Sequence, residues 1–296
     1  MKPGFVSLRY WWFAFSGVLI AASIVALIVY GLRLSIDFVG GSLVELEFAQ
    51  SVPANADFAK TLEDAGYHNP TIQPTGDHGA ILRLASLNEP EHQALLTAIR
   101  AKYGEITEHR FDSIGPVVGQ ELRKNALIGV VVTLLLIGLY IAWAFRKVAE
   151  PVASWKFGVL TVVTAVHDVI IPLGVFAVFG HYYGWEVGTA FIAAILTILG
   201  YSISDTVVVF DRTRENLLVH SGESFADVVE KSIRQTYVRS INTSMTTLLA
   251  LAAIFAFGGE TTRPFALALI IGIAVGTYSS IFIASPLLVE WELRRR

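Results

Sequence analysis

Leu199–Asn216, LGYSISDTVVVFDRTREN, is the stretch on which the reading of this chain turns. Its first half continues an apolar run that begins at Gly188, yet Asp205 stands inside the run. The charged cluster Asp211, Arg212, Arg214 and Glu215 closes it. A bilayer core needs about 20 mostly apolar residues per helix, and the run from Gly188 to Phe210 meets that length. An aspartate inside such a span costs about 2.5–3.5 kcal/mol on insertion scales, so it must face protein or a water-filled crevice. Tyr201 and Ser202 precede Asp205 by four and three residues and share its helix face, while Thr197, Gly200 and Ser204 form an adjacent small-residue edge.

Composition agrees with a membrane setting. The 296 residues are 54% hydrophobic and 16% charged, whereas a soluble domain carries about 25% charged residues. The net charge of −3 and the lack of a long basic block leave no electrostatic footprint for nucleic acid. The chain has no cysteine, which removes disulfides, thiol catalysis and thiolate metal sites. No phosphate-binding loop of the form G-x-x-x-x-G-K-[ST] occurs, so hydrolysis of ATP is not expected and no cofactor or metal is called for.

Six spans are read: Trp11 to Gly31, Ala126 to Phe145, Phe157 to Phe179, Gly188 to Phe210, Ile241 to Phe257 and Phe265 to Val289. Basic residues near the span ends set the orientation. Lys2, Arg9, Arg146, Lys147, Lys156, Arg212, Arg214, Lys231, Arg234, Arg239, Arg294, Arg295 and Arg296 fall on one side, and only Arg263 lies in the short loops of the other. Both termini are therefore expected in the cytoplasm.

Between the first two spans, strand and helix patterns alternate. SLVELEF alternates as a half-buried strand, and ANADFAKTLEDAG has helical spacing with Asn55 or Asp57 to cap it and Gly66 to end it. TIQPT and AILRLAS read as strands around GDHG, EPEHQALLTAIRAKYG as a helix, and ITEHRFDSI as a last strand. The order β-α-β-β-α-β predicts a ferredoxin-like α+β domain. The expected organisation is residues 1–32 for the N-terminal segment and first helix, 33–123 for the extra-cytoplasmic domain, and 124–296 for helices two to six. At the domain entrance, DFVGGS places Asp37, Gly40 and Gly41 where paired glycines permit either a hinge or a plain turn into the strand.

Other polar residues lie within the spans. Arg239 opens the fifth, and Asn242 or Thr243 and then Thr246 continue a polar face inward from it, at a depth that lets Arg239 meet Asp205. In the third span His167 and Asp168 precede Pro172, whose missing N–H frees the Asp168 carbonyl. In the sixth, Gly272, Gly276 and Ser280 repeat every four residues as a close-packing face. A carboxylate beside a movable guanidinium suits a proton-coupled switch. The alternative chemistry is an intramembrane aspartyl protease, with Asp168 and Asp205 sharing a proton on consecutive spans. Each carboxylate could equally be a structural group satisfied by neighbouring hydroxyls.

The motifs DFVGG, IGPVVGQELRKNAL, HD, GYSISDTVVVFDRTREN and RSINTSMTTLL, in that order, resemble the SecF branch of the SecD/SecF protein-export family, within the resistance, nodulation and division transporter superfamily. The resemblance covers nearly the whole chain. It implies a six-helix subunit of the bacterial cytoplasmic (inner) membrane that works with SecD beside the SecYEG channel, with YajC and YidC as further associates. It implies use of proton-motive force to promote late translocation of a preprotein, without bond-breaking catalysis. By position it assigns proton coupling to Asp205 and Arg239, a supporting place to Asp168, and the signature at the domain base to Asp37, Gly40 and Gly41. A related proton-coupled exporter of small molecules or lipids, and a fixed assembly scaffold, are the competing readings.

Overall fold

The structure, a computed structural model, describes residues 4–146, 152–219, 222–259 and 262–294. Lys2, Lys147, Arg295 and Arg296, used above for orientation, lie outside them. The chain divides into a helical unit, Met1–Arg33, Ile128–Trp185 and Ala190–Arg296, and an α+β unit, Leu34–Leu127 with Glu186–Thr189.

The long helices are α1 (Arg9–Tyr30), α5 (Pro116–Ala144), α6 (Ser154–Tyr183), α7 (Thr189–Val219), α8 (Phe225–Phe257), α9 (Arg263–Ser279) and α10 (Ser285–Leu293); they make up the helical unit, except that α5 as far as Leu127 and Thr189 of α7 belong to the α+β unit. With α9 and α10 joined through Ser280–Ala284, the described residues hold six helices long and apolar enough to cross a membrane, as expected. Two, α5 and α8, begin ten or more residues earlier than their hydropathy suggests. α5 starts at Pro116, a residue suited to a first helical turn because the N–H it lacks would have no partner there. α8 starts at Phe225, where Ser224 accepts the Asp227 N–H. Its polar first half hides from a hydropathy reading although Val228, Val229, Ser232, Ile233 and Thr236 are buried along one face.

The last span is interrupted by a π-helical turn at Ser280–Ala284. Pro286 follows at once and has no N–H for the usual bond four residues back, so the ladder widens, and the Ser285 hydroxyl reaches the Ser280 carbonyl at 3.3 Å. α6 runs unbroken through Pro172. The expected small-residue face packs: a Cβ at Gly272 would lie 2.2 Å from the Ile198 side chain and one at Gly276 2.8 Å from the Ser202 Cβ. Two ion pairs tie α10 to the helices beside it, Lys156–Glu292 at 2.8 Å and Arg9–Glu290 at 2.9 Å.

The α+β unit holds a short helix α2 (Ile36–Val39), then β1 (Gly41–Phe48), α3 (Asn55–Asp64), β2 (Thr71–Thr75), β3 (Gly79–Leu84), α4 (Glu89–Tyr103) and β4 (Ile106–Ile114). The sheet is antiparallel in the order β2-β3-β1-β4, the ferredoxin-like arrangement. Alternation along β1 sends Val44, Leu46 and Phe48 inward against Leu82, Phe58, Leu62, Leu95 and Ile99. α4 carries a capping box, Asn88 with Glu91. α3 differs from expectation: Ala54 occupies its N-cap without a side-chain bond, and Asn55 and Asp57 lie inside the first turn. Asp57 there is placed to offset the helix dipole rather than to cap.

Candidate functional site

Asp205 is half-buried on α7 and faces α8. Its Oδ1 accepts the Ser240 hydroxyl at 2.7 Å, and among the described residues its buried Oδ2 has no hydrogen-bond partner. An orphaned buried acceptor in a native site needs a donor from water, from a moving side chain or from a proton of its own. Arg239, one residue before Ser240, is exposed and acts on Asp205 through space, with no bond to Oδ2. Arg239 and Asp205 thus lie within Coulombic reach of each other without closing into an ion pair.

The face of α8 that meets α7 and α9 is a hydroxyl stripe at four-residue spacing, Ser232, Thr236, Ser240 and Ser244, all buried. Tyr201 reaches Ser244 and Thr247 at 3.5 Å, Ser244 bonds Thr277 of α9, and Thr206 meets Ser280 at 2.8 Å. Asn242, Thr243 and Thr246, expected on the side of Asp205, are exposed, and the two threonine hydroxyls bond carbonyls of their own helix, Arg239 and Thr243. The reason is helical phase. At 100° per residue Ser240 and Ser244 share one face, and Asn242 and Thr246 project from the other side. Four-residue hydroxyl spacing was the signal for Ser240, obscured by the more polar residues beside it.

Asp168 is fully buried. It accepts hydroxyls from Ser202 of α7 and from Ser279 of α9, the latter at 2.8 Å, and lies 2.8 Å from His167 Nδ1. Asp168 and Asp205 therefore share no partner: Ser202 on α7 looks toward α6 and α9, and Asp205, three residues on, looks toward α8. Two carboxylates holding one proton between them, the protease geometry, are not formed. The edge Thr197, Gly200 and Ser204 is exposed, and among the described residues no atom lies within 4 Å of where a side chain on Gly200 would stand.

The signature residues Asp37, Gly40 and Gly41 lie within the α+β unit. Asp37 Oδ2 accepts both the backbone N–H and the hydroxyl of Thr189, at 2.7 and 2.8 Å. Thr189 is also the first residue of α7. Ser35 N–H bonds the Val187 carbonyl, and Leu34 bridges Val187, so residues 34–37 and 187–189 are zipped together. Gly40 and Gly41 have φ of +79° and +129°. A Cβ at Gly40 would lie 2.7 Å from the Pro116 Cα, and one at Gly41 2.7 Å from the Leu84 oxygen. The pair is a packed turn into β1, where backbone crowding as well as positive φ demands glycine.

Comparison with known proteins places this geometry. The family model described as protein export membrane protein SecD/SecF, C-terminal, matches residues 94–294, and the SecD/SecF GG motif matches residues 25–52. A protein translocase subunit SecF of Thermobaculum terrenum is 41% identical, covering 96% of this chain and 92% of its own. One from Anaerolinea thermophila is 38% identical with the same coverage. A protein translocase subunit SecDF of Thermus thermophilus is 37% identical over 95% of this chain and 38% of its own. The crystal structure of a SecDF, described as a translocon-associated membrane protein, superposes with a TM-score of 0.85 at 35% identity, over all of this chain and 39% of that one. A SecDF in a super-membrane-facing form superposes at 0.70.

Proposed function

From the premise that this chain belongs to the SecD/SecF family of protein export membrane proteins, we propose that it is the SecF-type translocase subunit in which protons drive the machine through Asp205. The observation that carries the coupling is the Asp205 carboxylate, with one oxygen held by Ser240 and the other buried and, among the described residues, unpartnered. A proton arriving at Oδ2 supplies the missing hydrogen and cancels the attraction of Arg239. A proton leaving restores both the charge and the attraction. Each state favours a different placement of α8 against α7, which is what a proton-driven switch requires. One charge moved through the full membrane potential supplies about 2.3 kcal/mol per 100 mV, a bias of about 50-fold.

SecD is the partner best supported, because relatives carry this region and a longer remainder in one SecDF polypeptide. The SecYEG channel and the emerging preprotein, with YajC and YidC as associates, complete the proposed setting in the bacterial cytoplasmic membrane. There the basic span ends face inward and the α+β unit, residues 33–123 as a domain, faces out.

The test uses membrane vesicles carrying this chain with SecD and a Sec-dependent preprotein arrested midway. Completion of translocation is compared for wild type and Asp205→Asn, with and without proton-motive force. The expected result is loss of the force-dependent part alone. Unchanged completion in an assembled complex would make Asp205 structural and remove the coupling role.

A further inference from the structure

We infer that His167 and Asp168 form a second proton-binding site, neutral as a pair when loaded with one proton and wired through Ser16 and Tyr278 to the backbone of α1. Both residues are buried in α6, with 5% and 0% of their surface exposed. On one side His167 Nδ1 lies 2.8 Å from Asp168 Oδ1, and on the other its Nε2 lies 3.1 Å from the Ser16 hydroxyl. Ser16 in turn is 3.2 Å from the Tyr278 hydroxyl, which donates to the Trp12 carbonyl at 3.2 Å.

That last bond sets the direction of the chain. Tyr278 has a single hydroxyl hydrogen and places it on Trp12, so Ser16 is the donor toward Tyr278 and its own hydrogen is used there. The contact between Ser16 and His167 then requires an N–H at Nε2. The short contact between Nδ1 and Oδ1 requires one more hydrogen, on either atom. A pair holding both hydrogens is neutral overall, as imidazolium with carboxylate or as imidazole with carboxylic acid.

Removal of that proton leaves two options. Nδ1 and Oδ1 oppose each other as bare acceptors, or the remaining hydrogen moves to Nδ1 and Ser16 turns to donate to Nε2. In the second case Tyr278 loses the donor it accepted from. Either way one hydrogen bond of the chain is lost, so only the proton-loaded pair supplies a hydrogen to every one of these contacts. The negative charge left on the pair acts on α7 through Ser202, which bonds Asp168 one turn before Asp205.

Among the described residues the surrounding ionisable groups are otherwise engaged. α9 presents Tyr278 itself, Asp205 of α7 turns to Ser240, Arg9 of α1 pairs with Glu290 of α10, and Lys156 of α6 pairs with Glu292. The inference does not rest on the role given to Asp205.

Infrared difference spectroscopy of the complex with SecD in lipid, titrated with pH and carrying ring-labelled histidine, reads the site directly. A labelled signal should titrate in wild type, vanish in His167→Gln and persist in Asp205→Asn. Tyr278→Phe keeps the ring packed on Phe282 and Phe15. It removes the acceptor that Ser16 uses only in the proton-loaded state. Proton binding should weaken about five-fold, the worth of one hydrogen bond, and the midpoint should move to lower pH. A midpoint unmoved or raised by Tyr278→Phe, or a wild-type signal identical to that of His167→Gln, overturns the inference and leaves a fixed structural pair. Should His167→Gln not assemble, the Tyr278→Phe shift decides alone.

Discussion

At Asp205 a single hydroxyl separates two ways of reading the site. Ser240 touches the carboxylate, whereas Thr243, three residues along the same helix, bonds only the Arg239 carbonyl. Ser240→Ala removes a hydrogen bond to a group that carries charge in one of its states, worth about 1.5–3 kcal/mol. Force-dependent translocation should fall by an order of magnitude in Ser240→Ala and stay within two-fold of wild type in Thr243→Ala. The vesicle assay with the arrested preprotein measures both. Equal effects of the two changes would mean that the whole polar face, and not the Asp205 contact, matters. Arg239 acts through space, so Arg239→Lys, which keeps the charge, should retain most of the force-dependent part that Arg239→Ala loses.

Helices in this protein are set by what stands at their ends and where their backbones meet. Asp37 takes the first backbone N–H of α7 and the hydroxyl of the same residue. Its replacement by alanine should cost about 1 kcal/mol, as loss of an N-cap does. Amide exchange over the first turn of α7 should rise about five-fold in Asp37→Ala, with the β-sheet amides unchanged. Gly272 is a second such point, since a Cβ there would lie 2.2 Å from Ile198. Gly272→Ala should destabilise the helical unit by about 1–3 kcal/mol, the usual cost of overpacking, measured as a lower unfolding temperature of the detergent-solubilised complex. In α4, hydrogen bonds from Gln93 first and His92 second hold the Glu89 carboxyl below the ordinary glutamate value. A depressed carboxyl contributes its stability above its unfolded value and loses it as pH falls through the folded one. Exchange in the first turn of α4 should therefore quicken as the solution is acidified below the glutamate range, and Glu89→Gln should flatten that dependence.

On the scale of the molecule, the two units bury different kinds of core. The α+β unit buries Phe58, Leu82 and Leu95 between one sheet and two helices, as a water-soluble domain does. In the helical unit the buried layer is rich in glycine, serine and threonine, while Leu135, Leu136 and Leu139 of α5 stay exposed, as suits side chains that meet lipid. Phe58→Ala should destabilise the α+β unit by about 3–5 kcal/mol. Protease cleavage should then concentrate between residues 41 and 114 of the full chain in its complex, and the helical unit should remain intact.

Spans and strands were legible in the sequence because both follow local periodicity. Apolar runs longer than a bilayer core can only be helices, since backbone polar groups in lipid must bond within their own segment. Alternation in SLVELEF and helical spacing in EPEHQALLTAIRAKYG likewise specify their own elements. Asp205 and Asp168 stood out for a similarly local reason, the cost of a charge in an apolar run, and Arg239 because a polar face continues inward from it. Phase and partnership were not legible. Asn242 and Ser240 are two residues apart, and only the packing of α8 on α7 turns one of them toward Asp205. That Pro116 and Leu84 pack against Gly40 and Gly41 from distant parts of the chain was likewise not legible. The wire from Asp168 through His167, Ser16 and Tyr278 joins three helices whose residues are up to 262 positions apart. Local order along the chain was enough to read the spans, the strands, the family and the costly residues, because each depends on nearby neighbours, while the starts of α5 and α8 and the π-helical turn were not read from it. Which donor meets which acceptor was decided only by tertiary structure, because a hydrogen bond depends on ångström distances between helices that sequence spacing does not encode.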